Sequence, residues 1–264
     1  MRILISGAAS GIGLAVCREL LLRGHTVYAL DVKSIEEING LVSFTSDVCD
    51  SDSLARVKES LTSSGVELDA IILAAGVHDM ASLVETDFSR IERLTDVNLL
   101  GTMRTAHTFH SLLSKSGRIV IVTSEVATYS PMPFNGLYNI SKTALECYAD
   151  ALRQELNLLG QKVVTIRPGA VETPLAKGSA DATERLAMET ILYKNEAKHF
   201  SGIVKKFTGV PIKPEKMAKI IVKATLAKRP QLSYSKHRNL GLVLLSLLPR
   251  RVQCFIIKLL LSRK

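Results

Sequence analysis

The chain has 264 residues, of which 47% are hydrophobic and 22% are charged, and its formal net charge is +9. This composition excludes a disordered or fibrous protein and leaves room for one large domain with a substantial core. Because only 5% of the residues are aromatic and tryptophan is absent, we expect no base-stacking surface and no nucleic-acid partner.

The cysteines are scattered along the sequence without a Cys-x-x-Cys pair. Such spacing is typical of neither a zinc site nor a disulfide framework, so we expect no metal and a reducing, cytoplasmic location. The first apolar run begins at Arg2, with almost no residues ahead of it, and has the length of a buried strand. We therefore expect no secretory signal peptide.

Apolar runs of strand length alternate with helical patterns along the chain. Strands are predicted at Met1–Ser6, His25–Leu30, Leu41–Ser46, Asp69–Ala74, Arg118–Ser124 and Lys162–Arg167. Helices are predicted at Gly13–Gly24, Ser51–Ser64, Phe88–Ser114 and Leu137–Leu159. Apolar strands alternating with helices are typical of a parallel sheet covered on both faces. The sequence therefore predicts an α/β fold with a doubly wound, Rossmann-type sheet in one domain over residues 1–230.

A glycine-rich turn follows the first predicted strand and opens the first helix. Its spacing is Gly-x-x-x-Gly-x-Gly, formed by Gly7, Gly11 and Gly13. Glycines let the backbone turn tightly and let a pyrophosphate approach the helix N-terminus, where N–H groups favour anions. We therefore predict that this turn, including Ser10 and Ile12, holds a dinucleotide; a chance cluster of glycines is the weaker alternative.

Two acidic residues end the next strands. Asp31 ends the second, where a carboxylate can accept the ribose hydroxyls of adenosine and repel a 2′-phosphate. This favours NAD over NADP, although Lys33 can soften the preference, and a turn-forming role for Asp31 is the alternative. Asp47 and Val48 end the third strand, where they can hold the adenine edge.

Tyr138 and Lys142 lie four residues apart in a predicted helix and therefore share one face. An ammonium beside a phenol favours the phenolate, so Lys142 is expected to lower the pKa of Tyr138 from its free value of about 10. This pair predicts a tyrosine that transfers protons.

Taken together, these motifs resemble the short-chain dehydrogenase/reductase family over about residues 1–230. The resemblance implies a dinucleotide on the three glycines and a catalytic Tyr138–Lys142 pair. It also implies that Ser124 orients the substrate carbonyl and that Asn98 supports a water relay to the lysine. Further cofactor contacts are implied at Ala75, Gly76, Pro168, Gly169, Val171 and Thr173. A lid over the substrate at about 174–211 and a homodimer or homotetramer through the long helices are family expectations.

Two local departures from the family pattern stand out. The chain has Leu73-Ala74-Ala75-Gly76 where the family usually has Asn-Asn-Ala-Gly, which keeps the glycine but not the asparagine hydrogen bonds. Ser124 precedes Tyr138 by one residue more than is usual, so the usual spacing points to Glu125. We prefer Ser124, because the loop before Tyr138 can absorb one residue and a carboxylate would repel an oxyanion.

The predicted reaction is hydride transfer between NAD(H) and a secondary alcohol or ketone, or a lipophilic alcohol or aldehyde. Two alternatives remain open. One is a catalytically quiet NAD-binding regulatory module, and the other is a nucleotide-sugar epimerase or dehydratase, which shares the Tyr–Lys pair but usually has a longer C-terminal domain. In the lid, Met188, Ile191, Leu192 and Tyr193 are expected either to line an apolar pocket or to pack the lid itself.

The C-terminal tail, residues 231–264, is apolar and basic. Its apolar runs, Leu240–Leu248 and Val252–Leu261, are separated by a proline and two arginines. Each is shorter than the roughly 18 residues of a spanning helix, whereas short apolar helices flanked by lysine and arginine can lie in a membrane interface. The tail therefore predicts peripheral contact with an anionic membrane surface and a small lipophilic substrate; the alternative is that it covers the core or a partner subunit.

Overall fold

The structure is a computed structural model that describes residues 1–207 and 209–262, with the backbone alone for 205–207. Position 208 of the predicted lid and residues 263–264 of the predicted tail lie outside the described residues. The strands are β1 Arg2–Ser6, β2 Thr26–Asp31, β3 Leu41–Thr45, β4 Leu68–Leu73, β5 Leu113–Val122, β6 Lys162–Pro168 and β7 Ser233–Lys236. They form a parallel sheet in the order β3-β2-β1-β4-β5-β6-β7.

The helices pack on both faces of this sheet. They are α1 Gly11–Leu22, α2 Ser51–Ser63, α3 Phe88–Thr95, α4 Gly101–His110, α5 Gly136–Leu158, α6 Pro174–Glu189, α7 Lys194–Phe207, α8 Pro214–Leu226, α9 Leu240–Ser246 and α10 Arg250–Leu261. Because strand side chains alternate between faces, Ile3 and Ile5 pack against α1 and α8, whereas Leu4 belongs to the core under α2, α4 and α5. The predicted doubly wound Rossmann fold is confirmed.

The chain order reverses between β1 and β4, which are neighbours in the sheet. In a doubly wound sheet, a crevice opens at such a switch point, outside the carboxyl ends of the strands. The glycine-rich turn after β1 and the loop after β4 therefore meet at one edge. This places the predicted motifs together before any side chain is considered.

The predicted helix Phe88–Ser114 is wrong at its centre and at its end. A π-helical turn, Asp96–Leu100, separates α3 from α4, and the helical part ends at His110. The polar stretch that follows already belongs to β5, since Leu113 pairs with Leu68 before a register shift. Local sequence does not encode this pairing, which depends on a strand more than 40 residues away.

Strand β7 was not predicted and lies in residues that the sequence analysis assigned to the tail. Its sequence, Ser233–Lys236, is short and polar, and it pairs with β6 at the sheet edge. Edge strands do not need an apolar pattern on both faces, so this segment gave no strand signal.

The lid and the tail share a small core of their own. Phe200 on α7 packs with Ala182 and Leu186 of α6, and Ile257 and Leu261 of α10 join the same cluster. Leu261 is 6% exposed. Part of the tail therefore packs against the lid. Among the described residues, none of the helices is long and apolar enough to cross a membrane.

Three lid residues that were expected as candidates for the pocket wall face solvent instead. Met188 and Ile191 are each 78% exposed and Leu192 is 66% exposed. The carboxylate of Glu85 accepts hydrogen bonds from the N–H groups of Ile191 and Leu192, at 2.8 and 2.9 Å. These bonds hold the α6–α7 connection at the surface, while Tyr193 packs against Phe134 in the lid core.

Candidate active site

The turn between β1 and α1 is packed so closely that it requires glycine. A Cβ added at Gly13 would lie 2.0 Å from the carbonyl oxygen of Gly7, and one added at Gly7 would lie 2.6 Å from the nitrogen of Ala75. Gly7 also has a φ of 73°, a conformation that residues with a Cβ rarely adopt. Within the described chain, Ser10 makes no side-chain capping bond to α1. The first-turn N–H groups of α1 thus fit a pyrophosphate.

The adenosine side of this cradle is formed by the ends of β2 and β3. The two carboxylate oxygens of Asp31 accept hydrogen bonds from the N–H groups of Ala9, at 2.9 Å, and Lys33, at 3.0 Å. Asp47 accepts from the N–H of Cys49 at 2.8 Å, and Val48 is buried against Gly101. These bonds fix both acidic side chains at the rim, next to the glycine turn.

A single large cavity of about 1980 Å³ runs from the cradle toward the lid and tail. Of the residues predicted from the sequence, it is lined by Gly7, Ser10, Gly11, Ile12, Gly13, Asp31, Asp47, Val48, Ala75, Gly76, Ser124, Tyr138, Lys142, Pro168, Gly169, Val171 and Thr173. Asn98 is the exception, since it is fully buried behind the wall. The fold thus brings residues from six strand ends and from the helices α1 and α5 into one cleft.

Tyr138 and Lys142 project from the first turns of α5 into the middle of the cavity. The Lys142 ammonium lies 5.7 Å from the centre of the Tyr138 ring and donates to the carbonyl oxygen of Val122 at 3.2 Å. Ser124 lies just beyond the end of β5, and its side chain is close enough to the Tyr138 hydroxyl to lower the pKa of that phenol. A phenol, a hydroxyl and an amine therefore converge where a substrate oxygen can be bound.

Burial controls the ionisation of this pair. It raises the pKa of Tyr138 to about 12, against a smaller lowering by the neighbouring Ser124 side chain. It also lowers the pKa of Lys142 to about 8. The shift of Tyr138 is opposite to the one expected from the sequence, because loss of solvent around the phenolate is the largest influence on its pKa. In this structure the phenol holds its proton at neutral pH.

Asn98 lies in the π-helical turn and holds the loop that follows β4. Its side-chain oxygen accepts from the N–H of Val77 at 2.8 Å, and its amide donates to the carbonyl of Val77 at 2.9 Å and to Ser141 at 3.1 Å. A Cβ added at Gly76 would lie 3.2 Å from the Asn98 oxygen and 3.5 Å from the Lys142 nitrogen. Asn98 thus supports the loop through which Gly76 approaches the lysine.

The segment after β6 closes the cavity on the side of α6. Thr173 caps α6 by accepting from the N–H of Ala176 at 3.2 Å, and a Cβ added at Gly11 would touch it at 3.2 Å. Val171 forms a β-bridge with Ile212, which ties the segment to the end of the lid. This segment therefore faces the glycine cradle across the cleft.

Sequence reasoning missed His78, whose ring stacks on the Tyr138 ring with centroids 4.3 Å apart. Burial lowers the pKa of His78 to about 4, so the imidazole is neutral at physiological pH. Asn135 also lines the cavity, and its side chain partly offsets this lowering of the His78 pKa. The position of His78 two residues after Gly76 was a usable signal, since loops at the carboxyl ends of parallel strands form such clefts.

The far end of the cavity is apolar. Its walls include Phe200 and Ile203 of α7, Leu242 and Leu245 of α9, and Ile257 of α10. The tail was predicted as an apolar surface, but the sequence gave no indication that it borders the same cleft as Tyr138. The fold and the cavity together define a dinucleotide-binding oxidoreductase.

Comparisons with known proteins identify the family. A sequence model described as short chain dehydrogenase matches residues 1–184. The chain is 31% identical to the short-chain dehydrogenase srdE of Neurospora crassa over 233 residues, 86% of this chain and 79% of that protein. The chain therefore belongs to the short-chain dehydrogenase/reductase family, whose members are oxidoreductases that bind NAD(H) or NADP(H).

Two further similarities agree with this assignment. An NADPH-dependent 1-acyldihydroxyacetone phosphate reductase of Schizosaccharomyces pombe is 32% identical over 200 residues, 72% of this chain and 67% of that protein. The crystal structure of a short chain dehydrogenase from Burkholderia cenocepacia J2315 in complex with NADP has a TM-score of 0.74 and 18% identity. That superposition covers 100% of this chain and 98% of the other, and it supports the fold.

Proposed function

We propose that this protein is a dehydrogenase/reductase that transfers hydride between NAD(H) and an apolar alcohol or carbonyl compound, with Tyr138 as the general acid and base. The observation that carries this proposal is that Ser124, Tyr138 and Lys142 line the same cavity as the glycine cradle and the apolar side chains of the lid and tail. A bound nicotinamide supplies or accepts the hydride. The chain's own residues bind the substrate oxygen and move its proton.

Tyr138 transfers the proton. Its pKa of about 12 keeps the phenol protonated at neutral pH, which suits donation to the oxygen of a carbonyl that is being reduced. In the reverse direction the phenolate accepts the alcohol proton. The protonated phenol is the form from which carbonyl reduction begins, and the phenolate is the form from which alcohol oxidation begins.

The neighbouring residues orient the substrate oxygen and relay the proton. Ser124 donates a hydrogen bond to the substrate oxygen as negative charge develops on it. Lys142 stabilises the phenolate and holds the nicotinamide ribose. Asn98, through the loop after β4, supports the path by which a water relays protons from Lys142 to solvent.

NAD is the preferred cofactor in this proposal, ahead of NADP. The Asp31 carboxylate is fixed by the two N–H groups at the rim of the cradle, where it accepts ribose hydroxyls and repels a 2′-phosphate. The fission-yeast relative is NADPH-dependent by name, and Lys33 offers a positive charge beside Asp31. Titration of the purified protein with NADH and NADPH tests the preference, and Asp31→Ala is expected to weaken NADH binding and improve that of NADPH.

The substrate is lipophilic in this proposal, because the apolar end of the cavity presents leucine, isoleucine and phenylalanine side chains. The name of the fission-yeast relative describes a substrate with an acyl chain and a reducible carbonyl, which is consistent with such a pocket. Steroid-, retinoid- and lipid-derived carbonyl compounds are the classes to test first.

The test is a screen of the purified chain for oxidation of NADH or NADPH with a panel of ketosteroids, retinal and aliphatic aldehydes and ketones. We expect turnover with apolar substrates. Tight binding of NADH without turnover of any carbonyl compound would favour the regulatory NAD-binding module instead. Conversion of nucleotide sugars would favour an epimerase or dehydratase.

We also propose that the protein is cytoplasmic and that its tail lies on an anionic membrane surface, which makes it a peripheral membrane protein. Helix α10 has two faces: Ile257 packs against the lid, whereas Phe255 and Leu259, four residues apart, are 66% and 51% exposed. The exposed side also includes Arg251 and Lys258. Apolar side chains between basic ones are typical of helices that lie in the headgroup region.

Sedimentation with lipid vesicles tests the membrane proposal. We expect binding to phosphatidylcholine vesicles that contain phosphatidylserine, weaker binding to phosphatidylcholine alone, and loss of binding in the double variant Phe255→Ser, Leu259→Ser. Leu22→Ser is the control, since Leu22 is 84% exposed on α1. A protein that sediments with neither vesicle contradicts the proposal.

A homodimer or homotetramer through the long helices is part of the same proposal. Leu100 and Met103, at the start of α4, and Ile140 on α5 are 44%, 37% and 56% exposed. Apolar side chains on neighbouring helices fit a subunit contact. Light scattering after size-exclusion chromatography measures the state directly, and a monomer at all concentrations would refute it.

A further inference from the structure

Glu125 is a buried carboxylate directly beside the proposed catalytic serine. It begins the 3₁₀ turn Glu125–Thr128 and is 8% exposed. One oxygen accepts from the backbone N–H of Asn239 at 2.7 Å and from the hydroxyl of Tyr129 at 3.4 Å. The carboxylate therefore binds the N-terminal end of α9, which gives Glu125 a task different from the one proposed for Ser124.

The contact extends to the two residues that precede Asn239. Arg238 donates to the Tyr129 hydroxyl at 2.7 Å, and its guanidinium lies 5.2 Å from the centre of the Tyr129 ring. A Cβ added at Gly169 would lie 1.8 Å from the carbonyl oxygen of His237 and 3.1 Å from a Glu125 oxygen. The residues just before α9 thus pack directly on the 3₁₀ turn Glu125–Thr128 and on the segment that follows β6.

Asn239 in turn fixes the direction of α9. It is the N-cap residue of that helix, and its side chain accepts from the N–H of Leu242 at 3.1 Å. One helical face, with Leu242 and Leu245, is partly buried and lines the cavity. A continuous series of contacts therefore links Glu125, through Asn239, to the helix that carries these two leucines.

We propose that Glu125 is a positioning residue that holds α9 across the apolar end of the cavity, and that α9 makes the site selective for substrates with a long apolar chain. This inference rests on the oxidoreductase function proposed above. In this proposal the reacting carbonyl binds at Ser124 and Tyr138, and a short ketone ends before it meets Leu242 and Leu245. A long one extends to Leu242 and Leu245 and gains affinity from each buried CH₂.

The test measures steady-state kinetics with methyl ketones from butanone to undecanone and NADH. In Glu125→Ala, KM for undecanone is expected to rise about tenfold, the equivalent of losing contact with one or two CH₂ groups. KM for butanone, kcat for both ketones and the affinity for NADH are expected to stay at wild-type values. Glu125→Gln keeps an acceptor oxygen for the Asn239 N–H and is expected to recover most of the loss.

Two further variants separate positioning from general damage. Leu245→Ala removes the proposed contact without touching the Glu125 bonds, and it is expected to raise KM for undecanone but not for butanone. Glu59→Gln, at an exposed position on α2, is expected to leave both KM values unchanged. Equal effects of Glu125→Ala on short and long ketones, or no effect of Leu245→Ala, would overturn the proposal.

Amide hydrogen exchange gives a readout that does not need turnover. Loss of the Glu125–Asn239 bond is expected to speed exchange in α9 while β5 and β6 keep their wild-type protection. Unchanged exchange in α9 of Glu125→Ala would refute the positioning role. If the wild-type protein reduces no ketone at all, the proposed function fails, and this exchange measurement still decides whether Glu125 holds α9.

Discussion

The two ends of the cavity are built in opposite ways. At the dinucleotide end, backbone meets backbone: the approach of Gly13 to Gly7 leaves no space for a single Cβ. At the substrate end, α9 and α10 present flexible apolar side chains, many of them partly or fully exposed. The dinucleotide end suits one kind of ligand and tolerates no substitution of its closely packed glycines. The substrate end can vary in size and shape. A family can keep one cofactor and change substrates when its site is divided in this way.

Glycine substitutions at the two ends are the strongest test of this difference in packing. Gly13→Ala is expected to abolish NADH binding and to destabilise the fold by about 3 kcal/mol or more, because the added methyl overlaps the Gly7 carbonyl. Thermal unfolding and NADH fluorescence titration measure both effects.

The matched control is Gly178→Ala in α6 of the lid. A Cβ there meets nothing within 4 Å, and alanine is favoured over glycine inside a helix by about 1 kcal/mol. We expect equal or higher stability and unchanged NADH binding. If Gly13→Ala behaves like Gly178→Ala, the two ends do not differ as described.

Replacement of Ser124 tests the proposed catalytic centre, which belongs to neither end. Ser124→Ala is expected to lower kcat by about 10²–10³-fold, since a hydroxyl that stabilises developing charge is lost. Ser60→Ala, at an exposed position on α2, is the control. Stopped-flow or steady-state loss of NADH absorbance gives the rates, and a Ser124→Ala enzyme as fast as wild type would remove Ser124 from the mechanism.

Replacement of Lys142 is expected to change the stability of the fold in a pH-dependent way. The folded pKa of Lys142, about 8, is below its usual value of 10.5, so burying the charged form costs about 3 kcal/mol at pH values below 8. As pH rises from 8 to 10.5, the folded state loses its proton first and the penalty disappears. Lys142→Met is therefore expected to be more stable than wild type at pH 7, with a difference that shrinks toward pH 10.

Urea unfolding of wild type and Lys142→Met across this pH range measures the difference. Lys216→Met, at an exposed lysine on α8, should show no such pH-dependent gain. A Lys142→Met variant that is less stable than wild type at pH 7, or whose advantage grows with pH, would contradict the buried-cation account.

The residues predicted for the dinucleotide end all line one cavity, and the sequence signals that identified them are local. Glycine spacing after β1, the acidic ends of β2 and β3, and the four-residue Tyr–Lys spacing each lie within one short segment. The π-helical turn around Asn98 and the start of β5 were not predicted, since they depend on Val77 and Leu68 from distant segments. Long-range contacts of this kind leave no periodic pattern in the chain.

The substrate end was predicted less well for a related reason. The apolar tail was recognised, but whether its leucines face the cavity, the lid or solvent depends on where Glu125 and β6 place it. Met188, Ile191 and Leu192 have the same apolar character and lie at the surface. Hydrophobicity alone does not distinguish these positions.

The most direct test of the central claim is Tyr138→Phe, which removes one hydroxyl and keeps the buried ring. With NADH and a ketone that the wild type reduces, we expect NADH affinity to be unchanged and kcat to fall by about 10²–10⁴-fold. If the variant binds NADH normally and turns over the ketone as fast as the wild type, Tyr138 does not transfer the proton and the proposed mechanism is wrong.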